Sequence, residues 1–401
     1  MTIHTVKAGE TVFRIARDYG TSPIKIIEDN GLLRPDELNV GEELLILTPT
    51  RTYNVRGGDT VDKICRRFGV KRQALLASNP ALGGTDRIYP GQVLSLRYDK
   101  PAGGMVAANG YVFAGCDTET LRAALPYLTY VTVAAGTEDG GQVSFLFDDR
   151  ALLSLSHEAG KTVLLRIGME RVPDDFFCDP ERQERFLKAA TKAAHAHGYD
   201  GITLSCFRMT KEAGEAFCRW MMEARRLLLG MNLLLFTETD GNGGGAVSEY
   251  ADGNVLFYEK CSLTDIPTFE EGEKKVLAEY AGQYESSRTF LDISPFGYAG
   301  GAPLTREEIM KIARRYKSEI LYDQERQICS FSYPQFGGGR RETRTVVFDS
   351  LRNIQHRLDV ADEYGYMGIA FDVLRTPIAS WMMFYTTFSP IDYSMNTQDN
   401  M

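Results

Sequence analysis

At 401 residues, with 43% hydrophobic and 25% charged positions, the chain has material for two or three folded units with sizeable cores. A formal net charge of -9 argues against nucleic acid or an anionic membrane as main partner and leaves room only for a local basic patch. No apolar run approaches the roughly 20 residues a membrane-spanning helix requires.

The first residues, "MTIHTVKAGETVF", show no basic segment followed by an apolar core, so no secretory signal is visible. Immediately afterwards the chain repeats itself. "HTVKAGETVFRIARDYGTSPIKIIEDNGL", from His4, aligns with "YNVRGGDTVDKICRRFGVKRQALLASNPAL", from Tyr53. Each copy reads as strand, helix, helix, strand. Thr11 and Thr60 are placed to N-cap the first helix, and Val12, Ile15, Ala16 and Tyr19 give that helix one apolar face. Gly20 fits its C-terminal stop. A closing strand follows the turn at Gly41 or Gly91.

These two units resemble LysM domains, which bind N-acetylglucosamine-containing polymers such as peptidoglycan and chitin. The resemblance implies a shallow sugar groove between the strand-helix turn and the loop before the last strand. Carried onto this sequence, the groove falls on Gly9, Glu10 and Thr11 with Asn30, Gly31 and Leu32. In the second copy it falls on Gly58, Asp59 and Thr60 with Asn79, Pro80, Ala81 and Leu82. Asn30 and Asn79 serve equally well as capping or turn residues. Two such grooves in tandem raise the effective concentration on a repetitive polymer. The expected boundaries are 1–49 and 50–98 for the two units, with a Pro- and Gly-containing linker at 99–107.

From 108 to 390 short strand-like runs alternate with helical text. The runs are Tyr111–Ala114, Tyr130–Val133, Thr162–Ile167, Gly201–Leu204, Leu233–Phe236, Val255–Tyr258, Phe290–Ile293 and Gly368–Phe371. Eight strands with helices between them predict an α/β fold, a (β/α)₈ TIM barrel. Around "QFGGGRRE" alternation on both sides predicts a small β-hairpin inserted after the seventh strand, and 391–401 is left as a tail.

The order of "TYVTVAAGTEDGG", "HGYDGITL", "DISPFGYAG", "ILYDQERQICSFSY" and "VVFDSLRNIQHRLDVADEYGYMGIAFDVL" resembles family 18 glycoside hydrolases. The likeness is to the bacterial spore-cortex and cell-wall glucosaminidases that carry LysM units ahead of the barrel. In that family the fourth strand reads Asp-x-x-Asp-x-Asp-x-Glu, with alternate residues pointing into the barrel mouth. The Glu protonates the glycosidic oxygen and the neighbouring Asp holds the substrate's acetamido group.

Here the four positions are Asp200, Thr203, Ser205 and Phe207. Only the first is an acid, and Phe207 has no proton to give. General acid catalysis alone is worth about 10² to 10⁴ in rate. Asp372, on the eighth strand, stands where the family places a Trp under the scissile sugar.

Acids relocated to other strand ends are the alternative: Glu170, Glu238, Asp240, Glu259 and Asp372, with Tyr258 and Tyr298 as sugar contacts. Two of these carboxylates facing a pocket about 5 to 9 Å apart would support a hydrolase reading.

No cofactor is implied. His195 and His197 lie outside any zinc motif, and seven scattered cysteines form neither a disulfide framework nor a CxxC pair. "DGNGGGAVSEY" lacks the Gly-Lys-Ser/Thr of a phosphate loop, and Trp220 and Trp381 read as core.

The expected function is binding of peptidoglycan or another N-acetylglucosamine polymer by a chain whose barrel has lost the standard acids. The alternative is an active cell-wall or spore-cortex glycosidase, and a protein-binding scaffold is the third possibility. The resemblance implies spore or cell-wall association, with synthesis in the mother cell. The sequence says nothing about oligomeric state.

Overall fold

The computed structural model describes residues 1–99, 104–169, 176, 179–205, 211–239, 248–257, 274–283, 286–295, 297–299, 302–337 and 340–391. In the first repeat, β1 (Thr2–Thr5) pairs antiparallel with β2 (Glu43–Ile46) around α1 (Val12–Tyr19) and α2 (Pro23–Asn30). The second has the same build, with β3 (Arg51–Asn54), α3 (Val61–Phe68), α4 (Arg72–Ala77) and β4 (Val93–Arg97). The expected caps form: Thr11 and Thr60 each accept from the backbone N–H three residues on, at 3.2 Å. Each module keeps a small core of its own, around Ile15, Ile26 and Leu44 in one and Ile64, Leu75 and Leu94 in the other.

Eight parallel strands close the barrel. They are β5 (Met105–Val112), β6 (Tyr130–Asp139), β8 (Thr162–Gly168), β9 (Gly201–Ser205), β10 (Leu234–Thr239), β11 (Gly253–Leu256), β12 (Thr289–Asp292) and β18 (Gly368–Asp372). β18 returns to β5, which also pairs with β6. β7 (Gln142–Phe145) folds back on the end of β6 as an extra antiparallel edge. Alternate residues point inward, so Tyr111, Tyr130, Leu164, Phe236, Val255 and Phe290 fill the interior as a packed layer. The complementary face of the strands packs against the surrounding helices, including α8 (Lys211–Gly230), α11 (Leu351–Glu363) and α12 (Ile378–Thr387).

Two expectations change in detail. The first barrel strand begins at Met105, six residues earlier than read, and so takes up the end of the expected linker. The inserted hairpin, β16 (Ile328–Gly337) with β17 (Arg340–Asp349), belongs to a larger unit. It is joined by β13 (Gly297–Ala299), β14 (Ala302–Pro303) and β15 (Leu321–Asp323) in a five-stranded sheet. With α10 (Arg306–Tyr316) this sheet encloses its own core of Ile309, Met310, Phe331 and Phe348. The extra strands are two or three residues long, too short for an alternating pattern to announce them.

The repeats do not hang from the barrel; they are packed into it. Glu43 of the first repeat is buried and accepts from the Leu351 backbone N–H at 2.7 Å at the start of α11, beside Arg352 at 3.4 Å. Gly41, at φ +84°, lets the chain pass so near the inserted sheet that a Cβ would stand 1.9 Å from the Ile320 carbonyl oxygen. The second repeat is held by Tyr127 and Tyr385, whose hydroxyls donate to the carbonyls of Ala77 and Ala74 at 3.0 and 3.1 Å. Between the repeats Lys25 pairs with buried Asp29 at 2.5 Å and reaches the Ser78 carbonyl at 3.3 Å.

Candidate functional site

The strand that should carry the acids places its side chains as its register demands. Asp200 precedes β9 at the end of the barrel opposite the mouth. There it accepts from the Val163 backbone N–H at 2.7 Å and meets the His157 ring at 3.0 Å. It ties two strand starts together. Thr203 and Ser205 point inward and are fully buried. Phe207 lies outside the described residues, as do Glu170, Asp240, Tyr258 and Glu259.

Across the interior, β8 and β10 supply an ion pair that fills the space beside Ser205. Arg166 Nε donates to both oxygens of Glu238, at 3.1 and 2.8 Å, and its Nη2 donates to Ser205 Oγ at 2.5 Å. The pairing is dictated by register: Ser205 is opposite Glu238 on one side, and Arg166 opposite Thr203 on the other. Glu238 is closed to solvent. Burial, and then the negative charge of Glu238, push the Tyr111 hydroxyl well above the ordinary phenol range.

A second polar group sits at the mouth between β12 and β18. Ser294 donates its hydroxyl to Asp292 Oδ1 at 2.6 Å and accepts from the Asp372 backbone N–H at 2.7 Å. The Asp372 carboxylate accepts from the backbone N–H groups of Leu374 and Arg375 at 3.0 and 3.2 Å. Burial raises Asp292 to about 6, with its Ser294 bonds opposing and the Asp372 charge adding to the rise. Burial also raises Asp372. Asp292 was not among the sequence candidates. The signal for it was available, since it ends a barrel strand at an inward position.

Tyr298 lies on β13 of the inserted sheet, half-buried, and not on a barrel strand. His197 stacks on Phe145 with ring centroids 4.0 Å apart. No group of three or more metal-ligating side chains occurs among the described residues. Trp220 packs with Phe186 and Phe217, and Trp381 with Phe371, so both are core residues.

In the repeats, the loops expected to flank a sugar groove are present, but their residues divide into two kinds. Asn30 is buried: its amide donates to the carbonyls of Ile26 and Leu45 and accepts from the Leu45 N–H, all at 2.7–2.8 Å. Asn79 does the same with Leu75 and Ser95. These amides clip the second helix to the closing strand, and Leu82 is a core residue. Leu32 is half-buried against the first core. Glu10 and Asp59 brace their own turns, accepting from Lys7 N–H at 2.7 Å and Arg56 N–H at 2.8 Å.

What faces outward beside the first repeat's loops is Phe13 and Leu33, 74% and 72% exposed. Neither was singled out in the sequence, because each reads as one more apolar residue in a helix or loop. The second repeat has Asp62 and Gly83 at the aligned positions.

The LysM domain family model matches residues 4–47 and 53–97. A curated cortical fragment-lytic enzyme of Bacillus anthracis is 22% identical, the match covering 96% of this chain and 98% of that one. Among solved structures, the spore cortex-lytic enzyme SleL of Bacillus megaterium QM B1551 superposes with a TM-score of 0.75 at 22% identity, over 97% of this chain and 98% of that chain. A chitinase of Chromobacterium violaceum ATCC 12472 matches 70% of this chain and 98% of its own, with a TM-score of 0.62 at 14% identity. The chain therefore joins two LysM domains to a closed (β/α)₈ barrel with the fold of spore cortex-lytic enzymes and chitinases.

Proposed function

We propose that this protein binds peptidoglycan, or a closely related N-acetylglucosamine polymer, through its LysM domains, and that its barrel holds glycan without conventional hydrolysis. LysM domains bind peptidoglycan, and the cortical fragment-lytic relatives match almost end to end, which supports a place on the spore cortex or cell wall. No helix of the described residues is long and apolar enough to cross a membrane.

One observation carries the loss of hydrolysis. Two of the positions that the resemblance assigns to acids hold Thr203 and Ser205, and the space beside Ser205 is occupied by the Arg166–Glu238 pair. Substrate-assisted cleavage needs a carboxylate to orient the acetamido group and a carboxylic acid to protonate the leaving oxygen. A hydroxyl already bonded to a guanidinium supplies neither. Glu238, the best-placed relocated acid, has both oxygens engaged by Arg166 and is shut off from a sugar.

The second reading, an active glycosidase, is favoured by Asp292 and Asp372. These two carboxylates share a mouth, stand on adjacent strands, and are both raised by burial toward the range of a general acid. The test is incubation of the purified chain with peptidoglycan. Binding without new reducing ends supports the first reading. Turnover lost in Asp292→Asn or Asp372→Asn supports the second.

A further inference from the structure

The second LysM domain and the barrel enclose an open cleft of about 540 Å³ on the flank of the molecule, away from the barrel mouth. Its walls are the start of α4 on the repeat side and, on the barrel side, α5 (Thr118–Ala124), the end of α6 (Arg150–Glu158) and the residues that follow it. Four cationic side chains line it, Lys71, Arg72, Arg122 and Lys161, against a single acid, Glu158. With Arg72 paired to an acid and Lys161 buried and already engaged, the open charge of the cleft is that of Lys71 and Arg122, a local reversal of sign on a chain of net charge -9.

The cations are not all spoken for within the protein. Arg72 is paired with Asp86 at 2.7 Å. Lys71 and Arg122 have no carboxylate partner among the described residues, and Lys71 is exposed. The walls are fixed relative to each other: Gln73 Nε2 donates to the Pro126 carbonyl at 3.0 Å, directly across the cleft. At Gly84, φ +69°, a Cβ would stand 2.0 Å from the Arg122 carbonyl oxygen. The two units are thus locked at the very place where the cations gather, which makes the cleft a preformed feature.

We propose that this cleft is a subsite for carboxylates carried on the glycan, the stem peptides of peptidoglycan, with Lys71 and Arg122 as the charges that receive them. The inference rests on the glycan-binding reading above. A strand seated on the second LysM domain carries its peptides as side branches, and a basic cleft against that same domain is where an anionic branch would be held. A glycan without peptides has no charge to place there, so the cleft would let the protein distinguish substituted from bare polymer.

The test uses the full chain and soluble glycan strands from one peptidoglycan preparation, either bearing stem peptides or stripped of them by an amidase. Calorimetric titration should show Lys71→Glu with Arg122→Glu binding the peptide-bearing strands about tenfold more weakly, with the stripped strands bound as by wild type. Lys71→Gln, at an exposed position, should give the same direction with a smaller loss and keeps the test sound where the double variant folds poorly. Affinity for peptide-bearing strands that is unchanged in both variants, or that falls equally for both glycans, overturns the proposal. If wild type binds neither glycan, the glycan-binding reading itself fails and the subsite goes with it.

Discussion

Arg166 and Glu238 face each other across the barrel interior, the Nε of one donating to both carboxylate oxygens of the other, within reach of the Ser205 hydroxyl. The pair sets two opposite charges against each other inside the barrel, with Glu238 closed to water and little of Arg166 exposed. Removing one buried partner leaves an uncompensated charge and costs about 3–5 kcal/mol, whereas replacing both with apolar groups is often neutral. Glu238→Leu is therefore expected to lower stability by several kcal/mol in urea denaturation. Arg166→Met with Glu238→Leu should recover most of it.

The same pair governs attempts to restore activity. Changing Thr203, Ser205 and Phe207 to Asp, Asp and Glu rebuilds the family pattern on paper. In this barrel, however, an acid at Ser205 stands opposite Glu238, with one guanidinium to serve two carboxylates. The triple variant is expected to show no glycan turnover and to melt lower than wild type. Adding Glu238→Gln should raise its melting temperature. Reducing-end assays and thermal unfolding check both outcomes.

Asp292 gives a pH signature. Its folded value, about 6, is raised above the ordinary carboxylate range, so between roughly pH 4 and 6 the folded state keeps a proton that the unfolded state releases. Stability from this group is greatest at low pH and is lost as pH rises through 6. Asp292→Asn should remove that decline: against wild type, its melting temperature should be similar near pH 4 and higher at pH 7.

In the first LysM domain, buried and exposed candidates should separate cleanly. Asn30→Ala deletes three buried hydrogen bonds and is expected to destabilise the module by about 2–3 kcal/mol. Phe13→Ser with Leu33→Ser touches exposed side chains. It should leave the melting temperature nearly unchanged while weakening peptidoglycan pull-down several-fold. Loss of binding only in Asn30→Ala would place the groove elsewhere.

Much of this architecture was visible in the linear text. The LysM repeat is legible because Thr11 and Thr60, Gly20 and Gly69, and the paired asparagines recur at fixed spacing. The barrel strands are legible because apolar runs stand between long amphipathic helices. The sites were less so, for a physical reason. Asn30 and Asn79 look like polar loop residues, and only the fold shows their amides turned inward to close each module. Arg166, Ser205 and Glu238 are remote in sequence and become one cluster only through strand register. Asp292 sat unremarked in an apolar run until the barrel placed it beside Asp372. The inserted sheet was read as a hairpin because its other strands are too short to show a period. The linker expected at 99–107 gave no hint that Glu43 and Tyr127 lock the repeats to the barrel.

The most direct test of the central claim is mass spectrometry of the soluble fraction after purified peptidoglycan is incubated with the full chain, beside a sedimentation assay on the same mixture. The account predicts that the protein sediments with the polymer and releases no muropeptides above the no-protein control. Release of many muropeptide equivalents per protein molecule, abolished by Asp292→Asn or Asp372→Asn, would contradict it.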